Sequence, residues 1–342
     1  MSGRNPTNPD PVSEPVPEPG PESVSGSGEF DLIGRYFAPL AGPGAFGLGD
    51  DAAVLTPAPG QQLVFTADAI IAGVHFLADD PAADVAAKLL AVNLSDLAAM
   101  GAAGAGYLIT TAWPRDLNES WIADFAHGLA AAQAEHGIAL LGGDTVATDG
   151  PMSLSLTAIG QLPTGTAMRR NGARVGDAIY VSGRIGDAGV GLRILRDGLV
   201  GGAAAERETA IARYRRPGPR LALGQALRGL ATACIDVSDG LIADLGHLAA
   251  QSGAAMVVDL AVVPLSPLAD LIGGAAAAVV AGDDYELLFT APFGDERRLL
   301  AAAQGTGTAV SRIGRVAAGE GVEVIDAAGE KVELARPGYR HF

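Results

Sequence analysis

Lysine is almost absent from this chain: Lys88 and Lys331 are the only two in 342 residues, and Cys234 is the only cysteine. One cysteine excludes a disulfide framework and any cysteine-rich metal site. Cations are scarce overall, with 23 Lys+Arg against 39 Asp+Glu and a net charge of −16. Nucleic acid is therefore not an expected partner, since it demands a basic face that displaces counterions from phosphates. No uninterrupted apolar run reaches the ~18 residues of a membrane span, and the N-terminus has neither a basic leader nor an apolar signal core. The expectation is no membrane partner and a cytoplasmic address.

Familiar phosphate-binding loops are missing too. Neither lysine sits in a glycine-rich loop, which excludes a Walker A motif. The His-Arg-Asp and Asp-Phe-Gly signatures of protein kinases are absent, as is the G-x-S-x-G elbow of serine hydrolases. "GPGAFG" at 42–47 matches the dinucleotide fingerprint by letter, but a helical pattern precedes it and a strand pattern follows, the reverse of what the fingerprint needs. It reads as a loop. Acidity does not bar phosphate ligands, because carboxylates can hold Mg²⁺ and the ion then faces the phosphates.

What is present is a large stock of core residues, 49% of the chain being hydrophobic, enough for two domains. Residues 1–28, rich in Pro, Glu, Ser and Gly, offer little to bury and read as a disordered tail. Beyond them strand and helix patterns alternate, so the expected class is α/β, with an N-terminal domain over 29–165 and a C-terminal one over 166–342. In the first, "FDLIGRYFAPL", "PAADVAAKLLAVNLSDLAAMGA" and "LNESWIADFAHGLAAAQAEHG" read as helices. "DAAVLTP", "QQLVFTADAI", "AGYLITTAW", "IALLGGDT" and "MSLSLTAIGQL" read as strands. In the second, "RVGDAIYVSGRIGD" opens a series with helices around 187–198 and 206–230. "ACIDVSDGLIADLGHLAAQSG" reads there as strand, loop and helix, and "GAAMVVDLAVVPL" and "DDYELLFTAP" supply later strands.

Aspartates recur beside small residues at expected strand ends or helix starts: Asp50 and Asp51, Asp68, Asp96, Asp144, and Asp236 with Asp239. Any one of them could be a turn or cap residue, its short side chain bonding nearby amides. Together they are what a site for several Mg²⁺ ions requires. His75 lies seven residues beyond Asp68 amid apolar neighbours. Arg169, Arg170 and Arg174 cluster in a chain poor in cations, and an arginine fork suits phosphate oxygens. Cys234, between Ala233 and Ile235, reads as a small buried residue.

Taken in order, "GDDAAVL", "TADAIIAGVHF", "KLLAVNLSDLAAMGA", "LLGGDT", "RRNGARVGDAIYVSG", "IDVSDGLIADLGHLA", "AGDDYELLFT" and the terminal "GYRHF" resemble the thiamine-monophosphate kinase family from about residue 30 to the end. The wider superfamily holds aminoimidazole ribonucleotide synthetase, selenophosphate synthetase and a hydrogenase maturation protein, and the "VHF" and "GYRHF" blocks favour the kinase. The resemblance implies two α/β domains, the first pairing with its copy in a second chain to form a homodimer through its sheet, the second packed beside it. It implies transfer of the γ-phosphoryl group of ATP to thiamine monophosphate with several Mg²⁺ ions. It implies Asp50, Thr66, Asp68, Asp96, Asp144, Asp236 and Asp239 as metal ligands, and Gly143, Asp144, Arg170 and Ser238 as ATP contacts, with the glycines of "LLGGDT" letting backbone approach the nucleotide. His75, Asp283 and Tyr339 are implied to contact the substrate. No protein nucleophile is expected, since the acceptor phosphate oxygen is already ionised. Two positions depart from the family pattern. Asp283 stands where a glutamate is common and would either face the cationic thiazolium or cap the turn before "YELLFT". Ala67 stands where relatives often carry a hydroxyl.

Overall fold

The structure, a computed structural model, describes residues 28–339. The expected tail lies outside them apart from Gly28, as do the three residues after Tyr339.

Two-residue alternation of apolar and polar side chains builds the first sheet from β1 (Gln61–Ile71), β2 (Ala103–Pro114), β3 (Leu140–Thr148) and β4 (Ser153–Pro163). The strand order is β1-β4-β2-β3, with β4 antiparallel to both of its neighbours and β3 parallel to β2 on the edge. One face of the sheet carries Tyr107, Ile109, Leu154 and Leu156 and packs on Leu89, Leu90, Leu94 and Leu97 of a long helix. Helix α1 (Glu29–Leu32) runs into a π turn (Ile33–Phe37) and a 3-10 turn (Ala38–Leu40), then come α2 (Ala82–Ala99) and α3 (Glu119–His136). Asn118 caps α3 by accepting from the Ser120 N–H at 2.9 Å, and Gly137 at φ 63° ends it in the left-handed region that favours glycine. Among the described residues no layer covers the opposite face of the sheet, leaving Phe65, Leu108 and Val146 exposed.

The second sheet holds β5 (Asp177–Ser182), β6 (Ala233–Asp236), β7 (Ala255–Asp259), β8 (Leu287–Pro292), β9 (Val310–Ala317) and β10 (Val322–Ile325). They lie in the order β10-β7-β9-β5-β8-β6, antiparallel except for the β10–β7 pair. Around it run α4 (Asp187–Asp197), α5 (Ala204–Arg215), α6 (Leu221–Leu227), α7 (Leu241–Ser252), α8 (Ala275–Ala278) and α9 (Glu296–Gly305). Its core is a cluster of aliphatic residues that includes Ile179, Val181, Ile235, Leu245 and Leu288.

Helix α2 is buried nearly all round, because the first sheet and α3 cover part of it and α5, α6 and β6 of the second unit cover the rest. Ion pairs from Arg215 to Asp80 and from Arg216 to Asp84 tie the start of α2 to the end of α5. The polar residues of α2 therefore sit at the junction of the two units.

Three expectations change. No strand forms at "DAAVLTP": Val54 donates its N–H to the Gly44 carbonyl at 2.9 Å, and the segment joins neither sheet. The helix expected over 206–230 is two helices, since Pro217 and Pro219 lack the N–H groups that would continue the first. The strand in "DDYELLFTAP" begins only at Leu287, because Asp283 (φ 71°) and Tyr285 (φ 49°) take left-handed backbone angles that no strand accommodates.

Candidate active site

Strand β1 and helix α2 bring two aspartates together at the junction. Thr66 and Asp68, two apart on β1, face the helix side, and Asn93, Ser95 and Asp96 come from the second half of α2. The Thr66 hydroxyl donates to Asp96 Oδ2 at 2.5 Å, and Asn93 Oδ1 accepts from the Asp68 N–H at 3.1 Å. From the second unit Asp236, the last residue of β6 and 4% exposed, accepts from the Ser95 hydroxyl at 2.7 Å. Burial pushes the Asp68 carboxyl up to about 6, and the neighbouring Asp96 carboxylate pushes it the same way. Asp236 is raised as well, by burial first and then by the charges of Asp96 and Asp68.

Carboxylates crowded in this way repel one another, and a hard cation relieves the repulsion. An all-oxygen set of three aspartates with Thr66 beside them fits Mg²⁺. The ligand atoms of Asp68, Asp96 and Asp236 do not all close to within 4.8 Å of one another, whereas those of Asp239, Asp244 and His247 do. In the second group, Asp244 Oδ2 already accepts from the backbone N–H groups of Ser238, Asp239 and Gly240 at 3.0–3.2 Å, which fixes the loop entering α7. Burial, with the charges of Asp236 and Asp239, pushes Asp244 up to about 8.

Beside the cluster opens a cavity of about 1000 Å³ between the two units. Asp68, Ser238, Asp239, His75, Asp283 and Tyr339 all line it. The loop before β8 is pinned to the end of β6 by two bonds, Asp283 N–H to Ser238 O and Tyr285 N–H to Val237 O, both 2.8 Å. A Cβ on Gly282 would stand 2.5 Å from the Ser238 carbonyl oxygen, so this crossing requires glycine. The half-buried Tyr285 phenol is raised well above its ordinary value by desolvation and by the field of Asp283, Asp236, Asp68 and Asp96. Tyr285 does not stand out in the sequence, and Lys88 does so only as one of two lysines. Lys88 Nζ is buried and donates to Asp283 Oδ2 and to the His75 carbonyl, both at 2.9 Å. Asp283 therefore pairs with a lysine of the other unit and does not cap the turn. His75 Nδ1 accepts from the Ile71 N–H at 3.1 Å, which orients the ring.

The remaining expected residues lie elsewhere. Thr66, Asp96 and Arg170 line a smaller cavity of about 470 Å³, where Arg170 is exposed. Asp50, Gly143 and Asp144 line a third, of about 660 Å³, on the uncovered face of the first sheet. Asp144 does not close its strand. It sits mid-strand in β3, paired with Thr110, and its carboxylate accepts from the Thr145 N–H at 2.9 Å. Asp96 likewise lies in the last turn of α2, not at a helix start. Gly143 has a packing reason of its own: a Cβ there would stand 1.8 Å from the Ile109 carbonyl oxygen. Cys234 is buried in β6, and desolvation pushes its thiol up.

Comparison with known proteins agrees with this architecture. The families described as AIR synthase related protein, N-terminal domain and C-terminal domain match residues 49–162 and 174–327. A thiamine-monophosphate kinase of Caulobacter vibrioides is 42% identical over 323 residues, 92% of this chain and 90% of its own length. The crystal structure of thiamine-monophosphate kinase from Stenotrophomonas maltophilia superposes with a TM-score of 0.76 at 45% identity, covering 83% of this chain and 91% of that one. A structure described as AaThiL complexed with AMPPCP and TMP superposes with a TM-score of 0.73 at 31% identity, covering 94% and 99%. The chain belongs to the thiamine-monophosphate kinase family.

Proposed function

We propose that this protein transfers the γ-phosphoryl group of ATP to thiamine monophosphate, giving thiamine diphosphate and ADP. The observation that carries the reading is one cavity whose lining includes Asp68, Ser238 and Asp239 together with His75, Asp283 and Tyr339. A relative bound to AMPPCP and TMP supports the same pair of ligands.

Asp68, Asp96, Asp236 and Asp239, with Thr66, would hold Mg²⁺, which when bound neutralises phosphate charge and fixes the geometry of in-line transfer. The protein's part is alignment. Ser95 engages one oxygen of Asp236 and Asn93 fixes the backbone of Asp68, so the carboxylates are held in place before any ligand arrives. Arg170 and Ser238 would contact the triphosphate. His75, Asp283 and Tyr339 would hold the thiamine moiety with its terminal phosphate toward the cluster. No side chain need form a covalent intermediate.

Asp50 and Asp144 are on the wrong face of the sheet to join that cluster within one chain. Asp144 shares its row with Thr110 and Ser155, whereas Asp68 faces α2. A homodimer formed through the open face would cover Phe65, Leu108 and Val146 and carry Asp50 and Asp144 of one copy to the site of the other. Among the described residues no helix is long and apolar enough to cross a membrane. A cytoplasmic address fits the single, buried cysteine.

The test is ADP release from purified protein with Mg²⁺–ATP and, side by side, thiamine monophosphate, thiamine and aminoimidazole ribonucleotide precursors. Release dependent on thiamine monophosphate alone is expected. Release with an aminoimidazole precursor instead would reassign the chain within its superfamily.

A further inference from the structure

We propose that Lys88 is a positioning residue for the acceptor substrate, a buried ammonium that sets the orientation of both His75 and Asp283. The proposal rests on the reading that these two residues face the thiamine moiety. The Lys88 side chain is 3% exposed and that of Asp283 29%. Lys88 Nζ stands 2.9 Å from Asp283 Oδ2, 2.9 Å from the His75 carbonyl oxygen and 4.0 Å from the centroid of the Tyr214 ring. An ammonium has three protons to give, and these three partners account for them.

The partners come from three separate segments: the turn after β1, the loop before β8, and helix α5. One charge on α2 therefore fixes the wall of the cavity on both sides of the junction. The arrangement is specific because a buried ammonium without its carboxylate is strongly disfavoured. Asp283 is also held at φ 71°, where an aspartate stays only if its surroundings oblige it to. Lys88 takes Oδ2 and so turns Oδ1 to the side of the Tyr285 hydroxyl, 3.5 Å away on the cavity wall. The carboxylate then meets the thiazolium cation already oriented, with its charge partly balanced from behind. Affinity at this wall depends on where the oxygens point more than on net charge. Lys88 itself touches none of the residues assigned to ATP, and Asp283 meets Ser238 only through its backbone N–H, so the influence of the ammonium should fall mainly on the acceptor substrate.

The experiment compares wild type, Lys88→Met, Asp283→Asn and the double variant, all as full-length protein, for both KM values, kcat and Tm. Lys88→Met is expected to raise KM for thiamine monophosphate about tenfold or more while KM for ATP stays within about twofold. Because part of the effect of Lys88 runs through Asp283 and part through the His75 carbonyl, Lys88→Met should raise KM for thiamine monophosphate by a smaller factor in the Asp283→Asn background than in wild type. A lowered Tm with both KM values unchanged would reduce Lys88 to a structural pin and overturn the proposal. So would a rise in both KM values together. Should Lys88→Met not fold, Lys88→Arg keeps the charge but moves its donors, and the same selective rise in KM supports the proposal while its absence overturns it. Wild-type protein that releases no ADP with thiamine monophosphate would remove the functional reading and this proposal together, an outcome visible before any variant is made.

Discussion

The two faces of the first sheet treat the same kind of residue in opposite ways. On the helix-covered face Asp68 and Asp96 meet Asp236 of the second unit, crowded and largely desolvated, with hydroxyl and amide groups arranged around them. On the open face Asp144 is exposed, its carboxylate bonded only to the N–H of the next residue, with exposed Asp50 lining the same cavity. The covered group carries electrostatic strain that the Thr66 and Ser95 hydroxyls offset only in part, and among the described residues no Lys or Arg pairs with it. Asp96 adds to it, being in the last turn of α2, where the helix dipole already presents negative charge. A fold keeps such a cluster when a cation completes it. The open-face pair carries no comparable strain, and its role depends on what is brought to it.

The largest effect expected from this contrast is loss of turnover on neutralising the covered cluster. Asp96→Asn should lower kcat about 100-fold or more, because one anionic ligand of a metal that balances transition-state charge is lost. Its Tm should hold or rise, since like-charge repulsion is relieved. Near-normal kcat at modest Mg²⁺ would remove Asp96 from the site. Asp144→Asn should also be inactive, but for a reason located in the other copy. If each site takes Asp96 from one chain and Asp144 from its partner, mixing the two inactive homodimers should restore about a quarter of wild-type activity. Half of the dimers become mixed, and one of their two sites is intact. No recovery after subunit exchange would place both residues in one chain's site or leave Asp144 outside it.

Much of this was legible in the sequence, and what was not has definite physical causes. Strands β1 to β4 and helix α3 follow from periodicity, because each has one face in a core and one away from it, whereas α2, buried nearly all round, reads as a helix from its length and composition. The segment at 51–57 has the composition of a strand, but strands need a neighbour, and its only backbone partner near Val54 is a loop glycine. Aspartate beside small residues flags a possible ligand without saying which layer it faces, so Asp68 and Asp144 looked alike. Gly143 suggested close approach to a nucleotide, while the structure gives it a packing duty against Ile109 that sequence could not reveal. Lys88 is conspicuous in the sequence for its rarity, but nothing near it in the chain gives it a role. Its meaning comes from Asp283, 195 positions away.

The next effect is intermediate. Sequence alone offered two outcomes for Asp283→Ala, a raised KM for the thiamine substrate or a loss of stability from a missing cap. The Lys88 pair predicts both at once, since alanine removes a substrate contact and also strands a buried ammonium. The stability loss should be on the order of 2 kcal/mol, below the figure for a fully buried pair because Asp283 is partly exposed. Asp283→Glu keeps the charge and should retain most of the stability. A drop in Tm with unchanged KM would detach Asp283 from the substrate, and the reverse result would mean that Lys88 finds another partner.

The smallest effect is a pH dependence confined to the covered face. Asp68 is raised from 3.8 to about 6 and Asp244 to about 8 in the folded chain, burial being the first cause in each. A carboxyl group with a raised folded pKa binds its proton more tightly in the fold than in the unfolded chain. Between the ordinary carboxylate range and those raised values the folded state holds the extra protons, so these groups make the fold less stable as pH rises through that window. The metal-free protein should therefore lose stability from about pH 5 to about pH 8. Mg²⁺ acts against this trend, because it binds the ionised carboxylates and competes with protons for the protonated ones. It should raise Tm more at about pH 8 than at about pH 5. Asp68→Asn removes one titrating group and should flatten both the pH slope and the Mg²⁺ effect, leaving the parts due to Asp236 and to Asp244, whose three backbone bonds remain. Asp144→Asn, on the exposed face, should leave the metal-free slope as it is. Thermal melts of these two variants over the same pH range, with and without Mg²⁺, test the contrast directly. If Asp144→Asn flattens the metal-free slope as much as Asp68→Asn does, the two faces do not differ in the way described.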